Sequence, residues 1–295
     1  MTLTDLKDPR TLYPQPPFEK QPQPAPGFTE KMDPRPDHGE DSYIGHGRLA
    51  GRKALITGGD SGIGRAAAIA MVREGAVVTL NYLPDEEEDA RSLQSLLAKD
   101  GEVHLIPGDI TDKAFCRALI KDAAGQMGGL DILVNNAAKQ VRQESIDDIS
   151  DEQFDGTMKT NVYALFWLTT AAMKIMPPGS TIINVSSTQG FNPAPVLIDY
   201  ATSKFAIRGF TEALAQGAIE KGIRVNGIAP GPFWTPLQPS TGQSQDKVQH
   251  FGEATPMGRP GQPAELGGAF VFLASQESSY MTGEFIGVTG GKPIS

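Results

Sequence analysis

The sequence is poor in the residues that build disulfides and metal sites. Cys116 is the only cysteine among 295 residues, which excludes both an intramolecular disulfide and a CxxC metal site. The histidines, His38, His46, His104 and His250, are scattered, and no two of them have metal-ligand spacing. We therefore expect no metal centre.

Excess positive charge and long apolar runs are also missing. The chain has 26 basic and 35 acidic residues, a net charge of −9, which argues against a nucleic-acid or acidic-membrane binder. The most apolar segment, residues 162–176, is interrupted by Thr169, Thr170 and Lys174 and predicts a buried helix. The first eight residues, MTLTDLKD, lack the apolar core of a secretory leader. We expect a soluble, cytoplasmic protein that binds neither nucleic acid nor membranes.

Proline is concentrated near the N-terminus, where 9 of the 23 prolines lie between residues 9 and 36. Because proline fixes φ and has no backbone donor, this segment can form neither a helix nor an inner strand. It is either a flexible tail or an extended arm on the folded domain or a neighbouring subunit. We expect residues 1–48 to form a Pro-rich arm and residues 49–295 a single domain. The side chains that could anchor the arm are Phe18, Phe28, Met32 and Tyr43.

From residue 51 onward, short runs of Val, Ile and Leu alternate with longer amphipathic segments. Such runs are typical of parallel strands that are buried on both faces. The alternation predicts βαβ units, and hence an α/β Rossmann-type, doubly wound sheet of seven parallel strands with helices on both faces. The predicted strands are 54–57, 77–80, 103–106, 132–134, 181–185, 224–228 and 285–288, and the clearest helices are 63–73, 85–99 and 113–127.

A glycine-rich segment, Thr57-Gly58-Gly59-Asp60-Ser61-Gly62-Ile63-Gly64, follows the first predicted strand and precedes an alanine-rich helix. In this position, glycine allows a tight turn at the strand exit, close approach to a pyrophosphate and close packing of helix on sheet. The free amides and positive dipole end of the helix would face the phosphates. A glycine cluster can also be an ordinary turn, but its place in the chain favours nucleotide binding.

The end of the second strand indicates which nucleotide binds. An acidic residue there favours NAD, whereas a basic one attracts the 2′-phosphate of NADP. This strand ends in Asn81-Tyr82-Leu83, which is neither, and Ser61 is not basic. The acidic run 85–89 suits a solvated helix start, yet its field disfavours a 2′-phosphate, an effect that Arg65 and Arg91 could offset. We expect NAD(H), with NADP(H) as the alternative.

Tyr200 and Lys204 are four residues apart in a predicted helix, so their side chains share one face. A nearby ammonium lowers the pKa of a phenol, which makes the pair a candidate acid/base. Two surface residues would give the same pattern, but Ser187 follows the strand 181–185, where catalytic groups of open α/β sheets cluster. Its hydroxyl could bind the same substrate oxygen as Tyr200. Asn161, in the helical segment 158–170, could hold a backbone group or a water, or link Lys204 to solvent.

Together these motifs resemble the short-chain dehydrogenase/reductase family from about residue 51 to the end of the chain. The Pro-rich extension with Asn81-Tyr82-Leu83-Pro84 is similar to a bacterial subgroup of general stress and glucose-dehydrogenase-like oxidoreductases. The matching elements, in the order of the family, are Thr57-Gly58-xxx-Gly62-Ile63-Gly64, Asp109, Asn135-Asn136-Ala137-Ala138, Asn161, Ser187, Tyr200-xxx-Lys204 and Pro230-Gly231.

The resemblance implies an NAD(P)-dependent oxidoreductase that moves a hydride between the cofactor and an alcohol or carbonyl substrate, such as a sugar, alcohol, aldehyde or ketone. Tyr200 would be the general acid/base, Lys204 would bind the nicotinamide ribose, Ser187 would polarise the substrate carbonyl, and Asn161 would hold a relay water. The implied cofactor contacts are Thr57, Gly58, Asp60, Ser61, Gly62, Ile63, Gly64, Asn81, Tyr82, Asp109, Ile110, Asn136, Ala137, Ala138, Tyr200, Lys204, Pro230, Gly231, Phe233 and Thr235.

Substrate specificity is expected to come from the loop at about residues 232–258, because loops on a rigid scaffold carry function. The candidate substrate contacts are Ser187, Gln189, Asn192 and Trp234. Two alternatives remain: a cofactor-binding sensor or scaffold without turnover, and a 3-oxoacyl-carrier-protein reductase, which would want a basic patch and NADPH. The resemblance also implies a homotetramer. The apolar helix faces that could meet in it carry Leu165, Phe166, Leu168, Phe205, Phe210 and Leu214.

Overall fold

The computed structural model describes residues 6–294 and contains the predicted sheet of seven parallel strands. Their order across the sheet is β3-β2-β1-β4-β5-β6-β7. Each predicted strand is confirmed to within two residues at either end, so the predicted fold class is correct. The strands are β1 (Lys53–Thr57), β2 (Val77–Tyr82), β3 (Val103–Pro107), β4 (Ile132–Asn135), β5 (Thr181–Val185), β6 (Arg224–Pro230) and β7 (Phe285–Val288).

Helices cover both faces of this sheet. The third helix has a recognisable cap at each end. At its start the Asp112 carboxylate accepts the Ala114 N–H, and at its end Gly128 adopts a left-handed conformation with a φ of 71°. The second is shorter than predicted because Pro84–Glu86 form a separate 3-10 turn. The helices are α1 (Gly62–Arg73), α2 (Glu87–Leu97), α3 (Lys113–Met127), α4 (Asp151–Met158), α5 (Ala164–Ala172), α6 (Ile198–Ala218), α7 (Gln245–Gln249) and α8 (Ala264–Ala274).

The side chains of successive residues in each central strand pack into two different hydrophobic cores, one on each face of the sheet. Ile56 and Ile183 pack in the layer that holds α1, α2 and α8, whereas Leu55 and Ile182 pack with α3, α5 and α6. Since strand side chains alternate between faces, a run of apolar residues without alternation is what a doubly covered strand requires. This explains why the strands were readable from the sequence.

The order of the strands reverses at β1, which pairs with β2 on one side and with β4 on the other. The connections that leave β1 and β4 therefore turn to opposite faces of the sheet and leave a crevice at the carboxyl ends of the strands. Ligands of open α/β sheets bind at such a point.

Two structural observations concern chemistry outside this crevice. Within residues 6–294, no helix is both long and apolar enough to cross a membrane, and no three His, Cys, Asp or Glu side chains are grouped as metal ligands would be. Cys116 is buried, its thiol lies 3.1 Å from the Ile110 carbonyl oxygen, and burial raises its pKa to about 12. A thiol in this state is unreactive at neutral pH.

The Pro-rich segment, residues 6–48 of the described chain (hereafter the arm), runs over the surface of the domain with one 3-10 turn at Thr29–Lys31. All four candidate anchors are at least partly buried: Phe18 and Met32 are each 5% exposed, and Phe28 and Tyr43 are intermediate. We propose that the arm ends at residue 48 and that the domain begins at residue 49.

A buried carboxylate, that of Glu74, fastens the end of the arm to the domain. It accepts hydrogen bonds from the Tyr43 hydroxyl at 2.8 Å and from the backbone N–H groups of His46 and Arg48, each at 2.9 Å. The Arg48 guanidinium completes the site at 2.7 and 3.0 Å. These donors outweigh the effect of burial and lower the pKa of Glu74 to about 2.

We predict that Glu74→Gln lowers the free energy of unfolding by about 3 kcal/mol, because it leaves buried donors without a charged acceptor. Urea denaturation measures this loss. Glu277→Gln is the matched control, because Glu277 reaches the same Arg48 at 3.5 Å but is half exposed, and it should cost less than about 0.5 kcal/mol.

The pKa of Glu74 falls from 4.5 to about 2 on folding, so its contribution is complete above pH ~5 and is lost as the pH falls through 2. The difference between wild type and Glu74→Gln should therefore shrink in acid. An equal loss in both variants, or a difference that does not change with pH, would contradict this role.

Candidate active site

The crevice at the carboxyl ends of the strands is a cavity of about 880 Å³. Its wall contains most of the residues that the sequence predicted to bind a cofactor or substrate. These are Gly58, Asp60, Ser61, Gly62, Ile63, Asn81, Tyr82, Asp109, Ile110, Asn136, Ala137, Ala138, Ser187, Gln189, Asn192, Tyr200, Lys204, Pro230, Gly231, Phe233 and Thr235. Residues that are far apart in the sequence thus share one space, as their positions at strand ends require.

The first helix begins inside this cavity. Its first turn, from Gly62 to Arg65, carries no acidic side chain, and the side chain of the N-cap residue Ser61 makes no capping hydrogen bond within the described chain. The Arg65 N–H donates to the Ser61 carbonyl oxygen at 3.0 Å, whereas the amides of Gly62 and Ile63 at the very start of the helix suit an anion at the positive end of its dipole. This arrangement fits the diphosphate of a dinucleotide, which Ser61, Gly62 and Ile63 would hold.

Two glycines make this turn close enough to the sheet. A Cβ atom at Gly64 would lie 1.9 Å from the Gly58 carbonyl oxygen, so no side chain is tolerated there. Gly62 has a φ of 49°, a left-handed conformation that favours glycine. Gly64 therefore acts through packing and lies behind the cavity wall.

A set of hydrogen bonds joins the ends of β1 and β4 under the cavity. The Thr57 hydroxyl accepts the N–H groups of Asn136 and Ala137 at 3.0 and 3.1 Å. In return the Asn136 amide donates to the carbonyl oxygens of Thr57 and Gly58, both at 2.9 Å. Thr57 is 1% exposed, so it shapes the site through these bonds instead of facing the cavity.

At the end of the cavity beside β2 and β3, the predicted polar residues mostly brace the backbone. Asn81 donates to the carbonyl oxygens of Ile106 and Gly108 at 3.2 and 3.1 Å, which ties β2 to the loop after β3. The Tyr82 hydroxyl donates a hydrogen bond to the Glu87 carboxylate at 2.5 Å. Asp109 accepts the Thr111 N–H at 2.8 Å.

Two carboxyl groups at this same end of the cavity, those of Asp60 and Glu86, have few partners that would stabilise their ionised forms. Asp60 is 1% exposed, and neither of its carboxyl oxygens has a hydrogen-bond partner among residues 6–294. Burial, and then the neighbouring charge of Glu86, raise its pKa well above the usual range. Glu86 accepts the Leu83 N–H at 3.0 Å, yet burial raises its pKa to about 7. Sequence reasoning named Asp60 but missed Glu86, which the acidic run concealed.

Neither of the two arginines that could have offset this acidity lines the cavity. Arg65 is 2% exposed and donates to the backbone oxygens of Asp60 and Asp89, at 3.4 and 3.2 Å. Arg91 pairs with Glu87 on the surface of α2 at 2.7 Å.

Tyr200 and Lys204 lie one turn apart on α6, as predicted, and both are buried, at 7% and 2% exposure. The Lys204 nitrogen is 5.3 Å from the centre of the Tyr200 ring and donates to the Val185 carbonyl oxygen at 2.9 Å. Because burial disfavours both charged forms, the pKa of Lys204 falls to about 7 and that of Tyr200 rises to about 12.

The pKa of Tyr200 is therefore raised, which is opposite to the direction expected from the lysine spacing. The cost of burying a phenolate exceeds any help from the neighbouring side chain, and the Ser187 hydroxyl, which does lower the Tyr200 pKa, only reduces the shift. At neutral pH Tyr200 is a protonated phenol.

The two serines after β5 divide their roles. Ser186 donates to the Lys204 carbonyl oxygen at 2.9 Å and so holds β5 against α6. Ser187 accepts the Gln189 N–H at 3.1 Å, lines the cavity and interacts with Tyr200. Both hydroxyls therefore lie at the same part of the cavity wall.

Asn161 lies in a five-residue π-helical turn, Lys159–Tyr163, between α4 and α5. Its side-chain oxygen accepts the Lys139 N–H at 2.7 Å, and its nitrogen donates to the Lys139 carbonyl oxygen and to Ser203, both at 2.9 Å. Ser203 in turn donates to the Tyr200 carbonyl oxygen at 2.7 Å. The amide therefore joins the loop after β4 to the turn of α6 that carries Tyr200, and π turns of this kind are frequent at functional sites.

Asp199, which sequence reasoning missed, fixes the start of α6. Its carboxylate is fully buried and accepts hydrogen bonds from Thr157 at 2.8 Å, Gln153 at 3.1 Å and the Tyr200 N–H at 2.8 Å. An acidic residue directly before the tyrosine, in the first turn of a helix, was the available signal.

The remaining wall of the cavity is rich in amides and lysines. Gln189 accepts the Ala194 N–H at 2.7 Å, and Asn192 donates to the Pro293 carbonyl oxygen at 3.3 Å. The side-chain oxygen of Gln238 is buried and has no partner among the described residues. Sequence reasoning did not place in this wall Pro26 from the arm, Lys139, Gln140, Lys247 or Lys292.

Trp234 requires a correction as a candidate substrate contact. It is fully buried beneath the arm, where its ring lies 4.3 Å from that of Phe18, and its indole N–H donates to the Pro34 carbonyl oxygen at 2.7 Å. A large apolar side chain in a loop suggested a ligand wall, but its partner is the arm.

Comparison with known proteins agrees with this geometry. A family model described as "Enoyl-(Acyl carrier protein) reductase" matches residues 58–292. The chain is 53% identical to the uncharacterized oxidoreductase YghA of Escherichia coli, over 99% of this chain and 100% of that protein. It is 42% identical to a glucose and ribitol dehydrogenase homolog of Oryza sativa, over 94% of this chain and 96% of that protein.

Among solved structures, it is similar to a short-chain dehydrogenase from Burkholderia cenocepacia in complex with NADP. The TM-score is 0.77 and the identity 29%, over 83% of this chain and 98% of that one.

Proposed function

Since the chain belongs to the short-chain dehydrogenase/reductase family and is an NAD(P)-dependent oxidoreductase, we propose that Tyr200 is the general acid/base of its reaction. The supporting observation is a phenol and a serine hydroxyl that interact with each other at the wall of one cavity, beside a buried lysine. When bound, the nicotinamide supplies or accepts the hydride.

In carbonyl reduction, the hydroxyls of Tyr200 and Ser187 would both bind the substrate oxygen, which polarises the carbonyl. Tyr200 would then transfer its phenolic proton to that oxygen, and in alcohol oxidation it would take the proton back. Lys204 uses one N–H on Val185 and has two more for a ribose hydroxyl. Asp199 and Asn161 would act as positioning residues, because they hold the turn of α6 that carries Tyr200.

We expect the substrate to be a hydroxylated alcohol or carbonyl compound such as a sugar or polyol. The amides of Gln140, Gln238 and Gln243 lie in one wall of the cavity, and although Gln140 already donates to the Gly242 carbonyl oxygen at 2.9 Å, such a wall suits a ligand with several hydroxyl groups. The name of the rice relative points in the same direction. A carrier-bound acyl group would leave these amides unsatisfied, which makes a 3-oxoacyl-carrier-protein reductase the weaker alternative.

We predict that Tyr200→Phe lowers kcat by about 10³-fold or more, because it removes the proton that the substrate oxygen must receive. The measurement is the change in absorbance of the reduced nicotinamide during turnover of a panel of sugars, polyols and simple aldehydes. Binding of the reduced cofactor, followed by its fluorescence, should stay within about threefold of wild type.

The pH dependence gives a second test of the same proton. Because the pKa of Tyr200 is raised to about 12, alcohol oxidation needs the scarce phenolate and should accelerate from pH 6 to pH 9, whereas carbonyl reduction uses the abundant phenol and should not. The basic group beside the phenol ring is Lys204 on the same helix, at 5.3 Å from the ring centre, whereas the Asp199 carboxylate binds the Tyr200 backbone N–H. Undiminished turnover by Tyr200→Phe would exclude this proton route and leave the sensor or scaffold alternative.

For the cofactor we propose NAD(H) over NADP(H). Asp60 and Glu86 line the end of the cavity where the adenosine would lie, and no arginine or lysine of the described chain lines that end beside them. Above its pKa of about 7, the Glu86 carboxylate is ionised and can accept a ribose hydroxyl and repel a 2′-phosphate. The Burkholderia structure holds NADP, so the preference has to be tested on this chain's own residues.

We predict that at about pH 8.5, where Glu86 is mostly ionised, Glu86→Gln tightens binding of NADPH by about tenfold, the equivalent of about 1.4 kcal/mol, and leaves binding of NADH nearly unchanged. Fluorescence titration with each cofactor measures both constants. Glu88→Gln is the matched control, because it removes the same charge two residues away at an exposed position. Equal effects of the two variants, or a wild type that prefers NADPH, would contradict the assignment.

We also propose a homotetramer. Leu165 and Leu168 face the core, but Phe166 on α5, Phe205 on α6 and Tyr163 in the π-helical turn before α5 are 51%, 42% and 45% exposed. Light scattering should give a mass of about four chains, and Phe166→Glu should reduce it. Phe154→Glu, at another exposed aromatic position on α4, should not. A wild-type mass of one chain would contradict the proposal.

A further inference from the structure

The part of the cavity wall that would close over a ligand comes from residues 232–258 (hereafter the substrate loop). Thr235, Pro236, Gln238, Gln243 and Phe251 are among its lining residues. The loop has little regular structure, because it contains only a five-residue π-helical turn, Gln238–Gly242, and the five-residue α7. Short turns of this kind are marginal by themselves, so the shape of this wall depends on what holds the loop.

The arm supplies an apolar cluster for this purpose. Phe18 and Met32 from the arm pack with Trp234, Val248 and Phe251 from the loop, and all five side chains are buried. The ring centres of Phe18 and Trp234 are 4.3 Å apart, and those of Trp234 and Phe251 are 6.2 Å apart. This cluster is separate from the two cores of the sheet, so it stabilises only the contact between arm and loop.

Hydrogen bonds also join the arm to the substrate loop on either side of this apolar cluster. The Phe18 N–H donates to the Gln249 carbonyl oxygen at 2.9 Å, and the Gln21 N–H donates to the side chain of Gln245 at 2.9 Å. Beside the cavity, Ser240 donates to the Pro26 carbonyl oxygen at 3.3 Å.

At the same place Gly27 has a φ of 89°, and a Cβ atom there would lie 2.7 Å from the Pro236 carbonyl oxygen. The two backbones therefore meet without room for a side chain, and Pro26 itself forms part of the cavity wall.

The arm is also tied to the opposite side of the cavity. The Thr29 N–H donates to the Asp89 carboxylate of α2 at 3.1 Å. Arg73 at the end of α1 donates to the carbonyl oxygens of Gly39, Glu40 and Tyr43, at 3.0, 2.6 and 2.9 Å. One continuous segment thus joins the helices beside the diphosphate and adenosine end to the loop beside the substrate end.

We propose that the arm is a positioning element of the active site, which holds the substrate loop in its closed form so that the wall for cofactor and substrate exists before either binds. The proposal rests on the proposed function, because it assigns the loop to that cofactor and substrate. Its prolines suit this task, since a chain with fixed φ angles loses less entropy on becoming ordered.

The fluorescence of Trp234 can be used to measure whether the substrate loop is held by the arm. Trp234 is one of two tryptophans, so Trp167→Phe leaves it as the sole source of indole fluorescence. In that background Phe18→Ala should expose Trp234, with a red-shifted emission and stronger quenching by acrylamide. Trypsin should cut after the exposed Lys247 at least about tenfold faster. Phe18→Leu, which keeps an apolar anchor, should restore most of the protection.

The same variant should weaken binding of the reduced nicotinamide and raise the KM of the substrate by about tenfold, because only a fraction of molecules would hold the loop closed. The kcat at saturation should change by less than about twofold, since Tyr200 and Lys204 lie on α6 and Ser187 lies directly after β5, outside the substrate loop. Arg35→Ala is the control, because Arg35 belongs to the arm but pairs only with Glu30 at the surface in the described chain, and it should change none of these quantities.

Gly27→Ala separates the arm from Pro236 without touching the apolar cluster, so it tests the proposal even if Phe18→Ala fails to fold. Unchanged Trp234 emission, cleavage and cofactor binding in Gly27→Ala and in a folded Phe18→Ala would overturn the proposal. A wild type that binds no nicotinamide would overturn the proposed function instead, while the fluorescence and cleavage would still report whether the arm holds the loop.

Discussion

The contact between the ends of β1 and β4 is the constraint on which the rest of the site depends. Thr57 and Asn136 exchange side-chain and backbone hydrogen bonds there, and Gly64 approaches the Gly58 carbonyl so closely that no Cβ atom fits. Because this contact places the first turn of α1 at the edge of the sheet, the free amides face the same cavity as the groups at the ends of β5 and β6. A side chain at Gly64 would move the helix and change the distance between its first turn and Tyr200.

Burial controls the chemistry of this cavity in the same way at both ends. It keeps Tyr200 protonated and lowers the pKa of Lys204 to about 7, and it also raises the pKa values of Asp60 and Glu86. All four shifts favour the neutral form, because a buried charge without a partner is costly. A bound ligand that brings hydroxyl groups and opposite charges would therefore meet side chains whose protonation can still change, which is what both proton transfer and discrimination between cofactors require.

The sheet and its motifs could be predicted because their signals are local. A short apolar run of about four to seven residues without alternation is typical of a strand covered on both faces, and a glycine loop between strand and helix is typical of a nucleotide site. Asp199 and Glu86 were missed because a buried carboxylate is recognised by its partners, and Thr157 and Gln153 are more than 40 residues from Asp199. The error about the Tyr200 pKa has the same origin, since spacing places the lysine beside the phenol but does not report how much water remains.

The role assigned to Trp234 shows how an irregular loop misleads when it is considered by itself. A loop whose backbone makes few regular hydrogen bonds must be held by its side chains, and its largest apolar side chain is then needed as an anchor rather than as a ligand contact. Here the anchor is buried against Phe18, more than 200 residues earlier in the chain. An extended arm of this kind buries little surface of its own, so its order and that of the loop are mutually dependent, and a change in one segment should be felt as a change in the other.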